Sequence, residues 1–247
     1  MPELIRPSTV LPATRTSIHF KTADGLKLIG EVATPTDGKV AASLLMLHPN
    51  PTGGGMMDSH IYKKAANRLP FMAAIQTIRF NTRGTQSEAG KSEGEFGGGV
   101  DERLDVEAAI KYCFEELKVN NLYVVGWSFG TELALRYARD SRIKALILLS
   151  PPLIATEISD LEFWAKDGRQ VVALIPEFDD YLVPKDAKIK FAPLKQVQLI
   201  MVDGAKHLWV GEPMVHRVLS EIVRVVAPNR LPLAEEMICA PASIKLM

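Results

Sequence analysis

LYVVGWSFGTELALRYA, residues 122–138, carries a short apolar run into a segment of helical spacing through Gly126-x-Ser128-x-Gly130. The run Leu122 to Val125 suits a buried strand, and the residues after Gly130 suit a helix packed by one face. Small residues on both sides of Ser128 leave room for a sharp strand-to-helix turn. Such a turn lifts the serine hydroxyl above the edge of a sheet and places a helix N-terminus, with its free N–H groups, beneath it. The bare pattern is cheap, since about one chain in ten of this size would contain it by chance. A serine in this place can also be an ordinary helix cap. The motif therefore has to be judged by what surrounds it.

Working outward, strands and helices alternate. TSIHFKTADGLKLIGEVATP, beginning at Thr16, reads as a hairpin turning at Ala23-Asp24-Gly25. ASLLMLHP from Ala42 is a buried strand, followed by a Gly/Pro-rich loop and a short helix around Ile61 to Leu69. MAAIQTIRF from Met72 is the next strand, and a long Gly-rich loop covers Arg83 to Gly99. A helix with Val106, Ala109, Ile110 and Cys113 at helical spacing precedes the motif. Beyond it come the strands IKALILLSPP, VVALIP and VQLIMVDG, a helix around Lys185 to Leu194, and a last helix, Pro213 to Val226. A hairpin followed by repeated β-α units predicts an α/β fold, a mostly parallel central sheet with helices on both faces. No linker divides it. One domain over residues 16–227 is expected, after an N-terminal extension (1–15) and before a C-terminal tail (228–247) punctuated by Pro232 and Pro241.

Composition narrows the setting. The 247 residues are 47% hydrophobic and 23% charged, with a formal net charge of zero. No basic stretch points to nucleic acid or an anionic membrane as partner. Cys113 and Cys239 are too few for a disulfide framework. The opening MPELIRPSTVLPATR lacks the apolar core of a secretory signal, and no apolar run is long enough to span a bilayer. The expectation is a cytoplasmic protein acting on a small molecule. Nothing in the sequence reports its oligomeric state.

A serine hydroxyl needs a base to take its proton. On a sheet of this kind the order is serine, acid, histidine. Only His207 and His216 follow Ser128. His207 sits in GAKHLW, just past the strand VQLIMVDG and at the edge where open α/β sheets keep their chemistry. His216 falls inside the last helix, as a solvated or packing residue. The acid belongs after VVALIP, where Glu177-Phe178-Asp179-Asp180-Tyr181 offers Asp179 or Asp180. Developing oxyanion charge calls for two N–H donors. Phe129, following the serine, supplies one. The loop His48-Pro49-Asn50-Pro51-Thr52-Gly53-Gly54-Gly55 supplies the other, and because proline has no N–H, the donor is Asn50. His48 is read as a hydrogen bonder that organises this loop.

Taken together, LHPNPTGGGMMD, RFNTRGTQSEAGKSEGEF, GWSFG, PEFDDYLVP and GAKHLWVG resemble a group of compact bacterial α/β-hydrolases with an HPxPxxGG loop and an RFNxRG segment. The resemblance runs from about Thr16 to Ala227. It implies an α/β-hydrolase fold with about eight strands and little or no lid, a Ser-His-Asp triad on Ser128, His207 and Asp179 or Asp180, and no cofactor. It also implies structural roles near the site for Arg79, Asn81, Arg83 and Gly84. The family's PExD pattern favours Asp179 as the acid, whereas the distance to Val183-Pro184 favours Asp180; Asp179 is the choice, Asp180 the alternative. The implied activity is hydrolysis of ester-type acyl bonds. A serine peptidase, an acyltransferase or a non-catalytic relative that binds without turnover are the alternatives. With room for only one short helix in PPLIATEISDLEFWAKDGR, the site should be shallow, lined by Met56, Met57, Trp127, Phe129 and Leu208, with Trp164 a further candidate. Asp58 and His60 offer too few ligands to argue a metal site.

Overall fold

Strand parity in the middle of the chain shows why these residues make a sheet covered on both faces. In the strand Ala42–Leu47, Leu45 and Leu47 pack into one apolar core while Ala42, Leu44 and Met46 pack into another. Successive side chains of a strand point to opposite faces, so an unbroken apolar run must be buried twice.

The computed structural model describes residues 2–240 and 243–246. A first strand, β1 (Pro2–Leu4), precedes the hairpin β2 (Thr14–Lys21) and β3 (Lys27–Thr34). Then come β4 (Ala42–Leu47), α1 (His60–Ala73), β5 (Ile75–Phe80), the two-residue strands β6 (Gln86–Ser87) and β7 (Gly90–Lys91), and α2 (Glu102–Glu115). The second half runs β8 (Leu122–Trp127), α3 (Phe129–Tyr137), β9 (Ile143–Leu149), α4 (Ile158–Asp167), β10 (Gln170–Phe178), α5 (Pro184–Lys190), β11 (Gln198–Lys206) and α6 (Glu212–Val226). Two further strands follow, β12 (Glu236–Ala240) and β13 (Ser243–Leu246).

The central sheet has eight strands in the order β11-β10-β9-β8-β4-β5-β3-β2. β5, β4, β8, β9, β10 and β11 are parallel, and β3 and β2 close one side antiparallel. Helices α1 and α6 cover one face, with Val215, Val218, Leu219, Ile222 and Val223 of α6 buried there. Residues of α2, α3, α4 and α5 pack against the other. From β4 the chain steps to β5 on one side and later crosses to β8 on the other. The crevice beyond the C-terminal ends of β4 and β8 is thus the switch point where open α/β sheets bind ligands. Only α4 intervenes between β9 and β10, so nothing of lid size stands over that edge. Among the described residues no helix is long and apolar enough to cross a membrane.

Three boundaries depart from the sequence reading. The strand expected from Met72 begins at Ile75, because α1 continues through Pro70 to Ala73 and ends at Ala74 with φ 55°. Leu69, Pro70 and Ala73 are buried, and that packing carries the helix past the proline's missing N–H. The Gly-rich loop holds the small β6–β7 ladder. Finally, β1 and β12 pair antiparallel, and β13 adds to β12, so the N-terminal extension and the tail after Pro228 form one three-stranded sheet. Pro241 lies outside the described residues.

Candidate active site

The turn at Ser128 is set by close backbone approach. A Cβ on Gly126 would stand 2.4 Å from the carbonyl oxygen of Gly130, and one on Gly130 only 1.9 Å from that of Leu47. Both flanking positions therefore admit nothing larger than glycine, and α3 begins pressed against the end of β4. Ser128 itself has φ 52° and ψ −119°, a backbone state that non-glycine residues rarely adopt. Its N–H donates to Leu149 O (2.8 Å) and its carbonyl accepts from Thr131, so the strained turn is held at both ends. Although Ser128 occupies the N-cap position, its side chain makes no cap hydrogen bond. The half-buried hydroxyl instead lies 2.9 Å from Nε2 of His207.

His207 follows β11 and its side chain is nearly sealed from solvent. Nδ1 lies 2.9 Å from Oδ2 of Asp179. A carboxylate can only accept there, so Nδ1 carries the proton and Nε2 accepts from the Ser128 hydroxyl. The other oxygen of Asp179 accepts from the N–H groups of Tyr181 (2.8 Å) and Leu182 (3.1 Å). Burial pushes the Asp179 carboxyl up, but the His207 hydrogen bond and the two N–H groups outweigh it and hold the group below the usual carboxylate range. Asp180, the alternative acid, is exposed. The backbone carbonyl of His207 is itself clamped, accepting from Ser150 Oγ (3.0 Å) and Trp127 Nε1 (3.3 Å). The ring of Tyr181 packs tilted against the imidazole, with ring centroids 4.7 Å apart. Neither Ser150 nor Tyr181 was singled out in the sequence. Ser150 ends an apolar run before two prolines, a place that signals a turn but not the direction of its hydroxyl.

The loop after β4 is built around Asn50. Its carbonyl accepts from Gly53 (3.1 Å) and Gly55 (2.9 Å), and its side chain accepts from the N–H and hydroxyl of Thr52. A Cβ at Gly55 would meet Pro49 O at 2.1 Å, so the loop closes only around glycine. The N–H groups of Asn50 and Phe129 find no acceptor among the described residues. His48 is fully buried: Nδ1 donates to Pro49 O (2.6 Å) and Nε2 accepts from Thr82 N (3.1 Å). Burial lowers its pKa from 6.5 to about 4. His216 lies away from these groups, with Nε2 3.3 Å from Leu233 O.

The expected walls need correction. Met57 and Trp127 are each only 2% exposed and Trp164 is fully buried, so all three are core rather than pocket. Met57 is bonded through its backbone to Asn81 and Arg79, Trp127 packs edge-on to His60 and Tyr62, and Trp164 donates to Leu135 O. Leu208 is 54% exposed beside His207, and Met56 is half-buried. Phe129 is half-buried with its ring against Phe96. Arg79 also pairs with Glu31 and Asp58, and Asn81 binds Ser87, tying the loop after β4 to the one after β5. Arg83 bonds Asp105 and Asp24, and a Cβ on Gly84 would come within 2.8 Å of the Glu95 backbone. Asp58 is thus spoken for by Arg79, and His60 donates to Leu208 O. No group of three or more potential metal ligands occurs among the described residues.

Comparison with known proteins bears on the same region. A family model described as alpha/beta hydrolase fold matches residues 43–211. A lidless α/β serine hydrolase from Xanthomonas campestris is 23% identical and superposes with a TM-score of 0.69 over 92% of this chain and 100% of that one. An α/β serine hydrolase homologue from Coxiella burnetii is 22% identical, with a TM-score of 0.66 over 86% of this chain and 97% of that one. An esterase from Pyrococcus furiosus is 17% identical, with a TM-score of 0.70 over 92% and 98%. At such identities the likeness is one of fold. No curated protein matches the sequence.

Proposed function

Because the chain belongs to the alpha/beta-hydrolase fold family, we propose that it is a serine hydrolase cleaving ester-type acyl bonds of a small substrate through an acyl-enzyme. The observation that carries this reading is the unbroken chain from Ser128 Oγ to His207 Nε2 and from His207 Nδ1 to Asp179 Oδ2, both links 2.9 Å. Ser128 Oγ attacks the ester carbonyl while Nε2 of His207 takes its proton. Asp179 keeps the ring in the tautomer that can do so, and it stabilises the imidazolium that forms. The carbonyl oxygen becomes an oxyanion held by the N–H groups of Phe129 and Asn50, whose lack of internal acceptors supports that role. His207 then hands its proton to the departing alkoxide, and the alcohol leaves. Water, deprotonated by the same nitrogen, attacks the acyl-Ser128 ester and releases the acid. The reading calls for no cofactor.

Ser128→Ala tests it directly. An activated phosphonate should label the wild type on Ser128, as located by peptide mass spectrometry, and the variant should neither label nor hydrolyse 4-nitrophenyl acetate. Hydrolysis persisting near the wild-type rate in a folded Ser128→Ala protein would end this reading.

A further inference from the structure

Among the described residues thirteen large hydrophobic side chains are exposed, and nine of them stand between the C-terminal ends of β5, β9, β10 or β11 and the first turn of the next helix. The opposite edge of the sheet contributes Val40. Single exposed apolar residues are ordinary. Their concentration along the edge that carries Ser128 is not, and such patches mark binding surfaces.

Four of the nine are tied directly to the site. Tyr181 packs tilted against the His207 ring. Leu208 follows His207, and its carbonyl is fixed by His60 (2.7 Å). Phe96 stands edge-on to Phe129, the residue after Ser128, at 5.6 Å. Ile154 is anchored through its N–H to the buried carboxylate of Glu132 (2.5 Å), in the first turn of α3. These side chains are carried on held loops. Beneath them, Met57, Trp127 and Trp164 are closed into the core, so no tunnel lined by those three can receive an apolar group.

We propose that this rim of Phe96, Ile154, Tyr181 and Leu208 binds the apolar chain of the ester, so that the substrates are esters with an extended aliphatic group, gripped on an open surface. The inference rests on the ester-hydrolase reading above. A methylene wholly removed from water is worth about fourfold in binding. A rim covers one side of a chain, which makes about twofold per methylene the expectation, and about sixty-fold over the roughly six methylenes added from acetyl to octanoyl.

The experiment measures kcat/KM for 4-nitrophenyl esters from acetyl to octanoyl below their solubility limits, and then follows the rate with the octanoyl ester as its concentration passes that limit. It compares the wild type, the paired variants Tyr181→Ser with Leu208→Ser and Phe96→Ser with Ile154→Ser, and Val40→Ser as a control on the far edge. The wild type and Val40→Ser should show the full gain with chain length. At least one pair should reduce it to a few-fold, mainly through KM, and the pair that does so reveals whether the chain lies toward His207 or toward α3. Equal turnover of acetyl and octanoyl esters, or a gain that survives in both pairs, overturns the rim while leaving the hydrolase reading intact. A flat dependence below the solubility limit with a jump above it assigns the rim to a lipid surface and also overturns the proposal. Absence of ester hydrolysis together with absence of phosphonate labelling removes the reading of the site, and the rim proposal with it.

Discussion

Two buried histidines leave the same edge of the sheet, His48 after β4 and His207 after β11, and both bond through both ring nitrogens. His48 is held by the Pro49 carbonyl at Nδ1 and by both the N–H and the hydroxyl of Thr82 at Nε2 (3.1 Å each), with no carboxylate bonded to the ring. An imidazolium there would press a proton against the Thr82 N–H, and burial already drives its pKa down to about 4. His207 has an ionised carboxylate on one side and a hydroxyl on the other. Depth and hydrogen-bond count do not separate a structural histidine from a base. The surroundings do: only His207 has a carboxylate that can stabilise the cation, and only its hydroxyl partner, Ser128, reaches the open edge, since Thr82 is fully buried.

The contrast breaks first at the site itself. His207→Ala, like Ser128→Ala, should lower kcat on the order of 10⁶-fold, the scale of the corresponding losses in a serine protease. His48→Asn should keep a substantial rate, because it removes no proton carrier. Steady-state kinetics on a short ester would measure both. Equal collapse of the two histidine variants, with both folded, would erase the distinction.

Asp179→Asn should cost about 10⁴-fold in kcat by taking away the carboxylate that fixes the tautomer. Asp180→Asn, at an exposed position, should stay within about threefold of wild type, an effect of the size expected for surface sites. Side-by-side turnover decides the matter, and a collapse confined to Asp180→Asn would transfer the acid's role to that residue.

His48 should instead be visible in stability. Its pKa falls from 6.5 to about 4 on folding, so the unfolded chain binds the extra proton first. Stability is then complete above the higher value and drains away as pH drops toward the lower one, by about 3 kcal/mol in all. Urea unfolding at about pH 7.5 and about pH 4.5 should show this slope in the wild type and a flatter one in His48→Asn. An unchanged slope would mean that His48 takes up its proton without penalty. The smallest effect belongs to Ser150→Ala, which removes one of the two donors to the His207 carbonyl. A neutral hydrogen bond of about 1 kcal/mol predicts about a fivefold loss, confined to kcat and with KM unmoved. A loss in KM alone would show that Ser150 shapes binding rather than the placement of His207.

Much of this was legible in the residues. The apolar runs gave the strand positions, and the pattern of a hairpin followed by β-α units led to the sheet. Ser128, His207 and a pair of candidate acids followed from residue type and from position at strand ends. The errors share a cause. Trp127 was placed on the substrate side because it adjoins Ser128, yet neighbours along a strand face opposite ways. Val125 and Trp127 point to the core under α1 and α6, while Leu122 and Val124 point to the other. Met72 looked like the start of a strand because a short apolar stretch beyond a proline suits either a helix end or a strand. Burial against the sheet decided for the helix.

By itself, the sequence determined what is encoded within a few residues: glycines where no Cβ fits, prolines without an N–H to give, apolar periods that sort strand from helix, and the residue types needed for proton transfer. Tertiary structure alone decided which side chains meet. Ser128 and His207 stand 79 residues apart, and His207 and Asp179 stand 28 apart. Their contact depends on the relative register of β8, β10 and β11, as does the choice between Asp179 and Asp180, since one residue along the chain turns a carboxylate from the imidazole to solvent. The apolar rim is of the same kind. Phe96, Ile154, Tyr181 and Leu208 come from four separate loops, and only closure of the parallel sheet brings those loops to one edge.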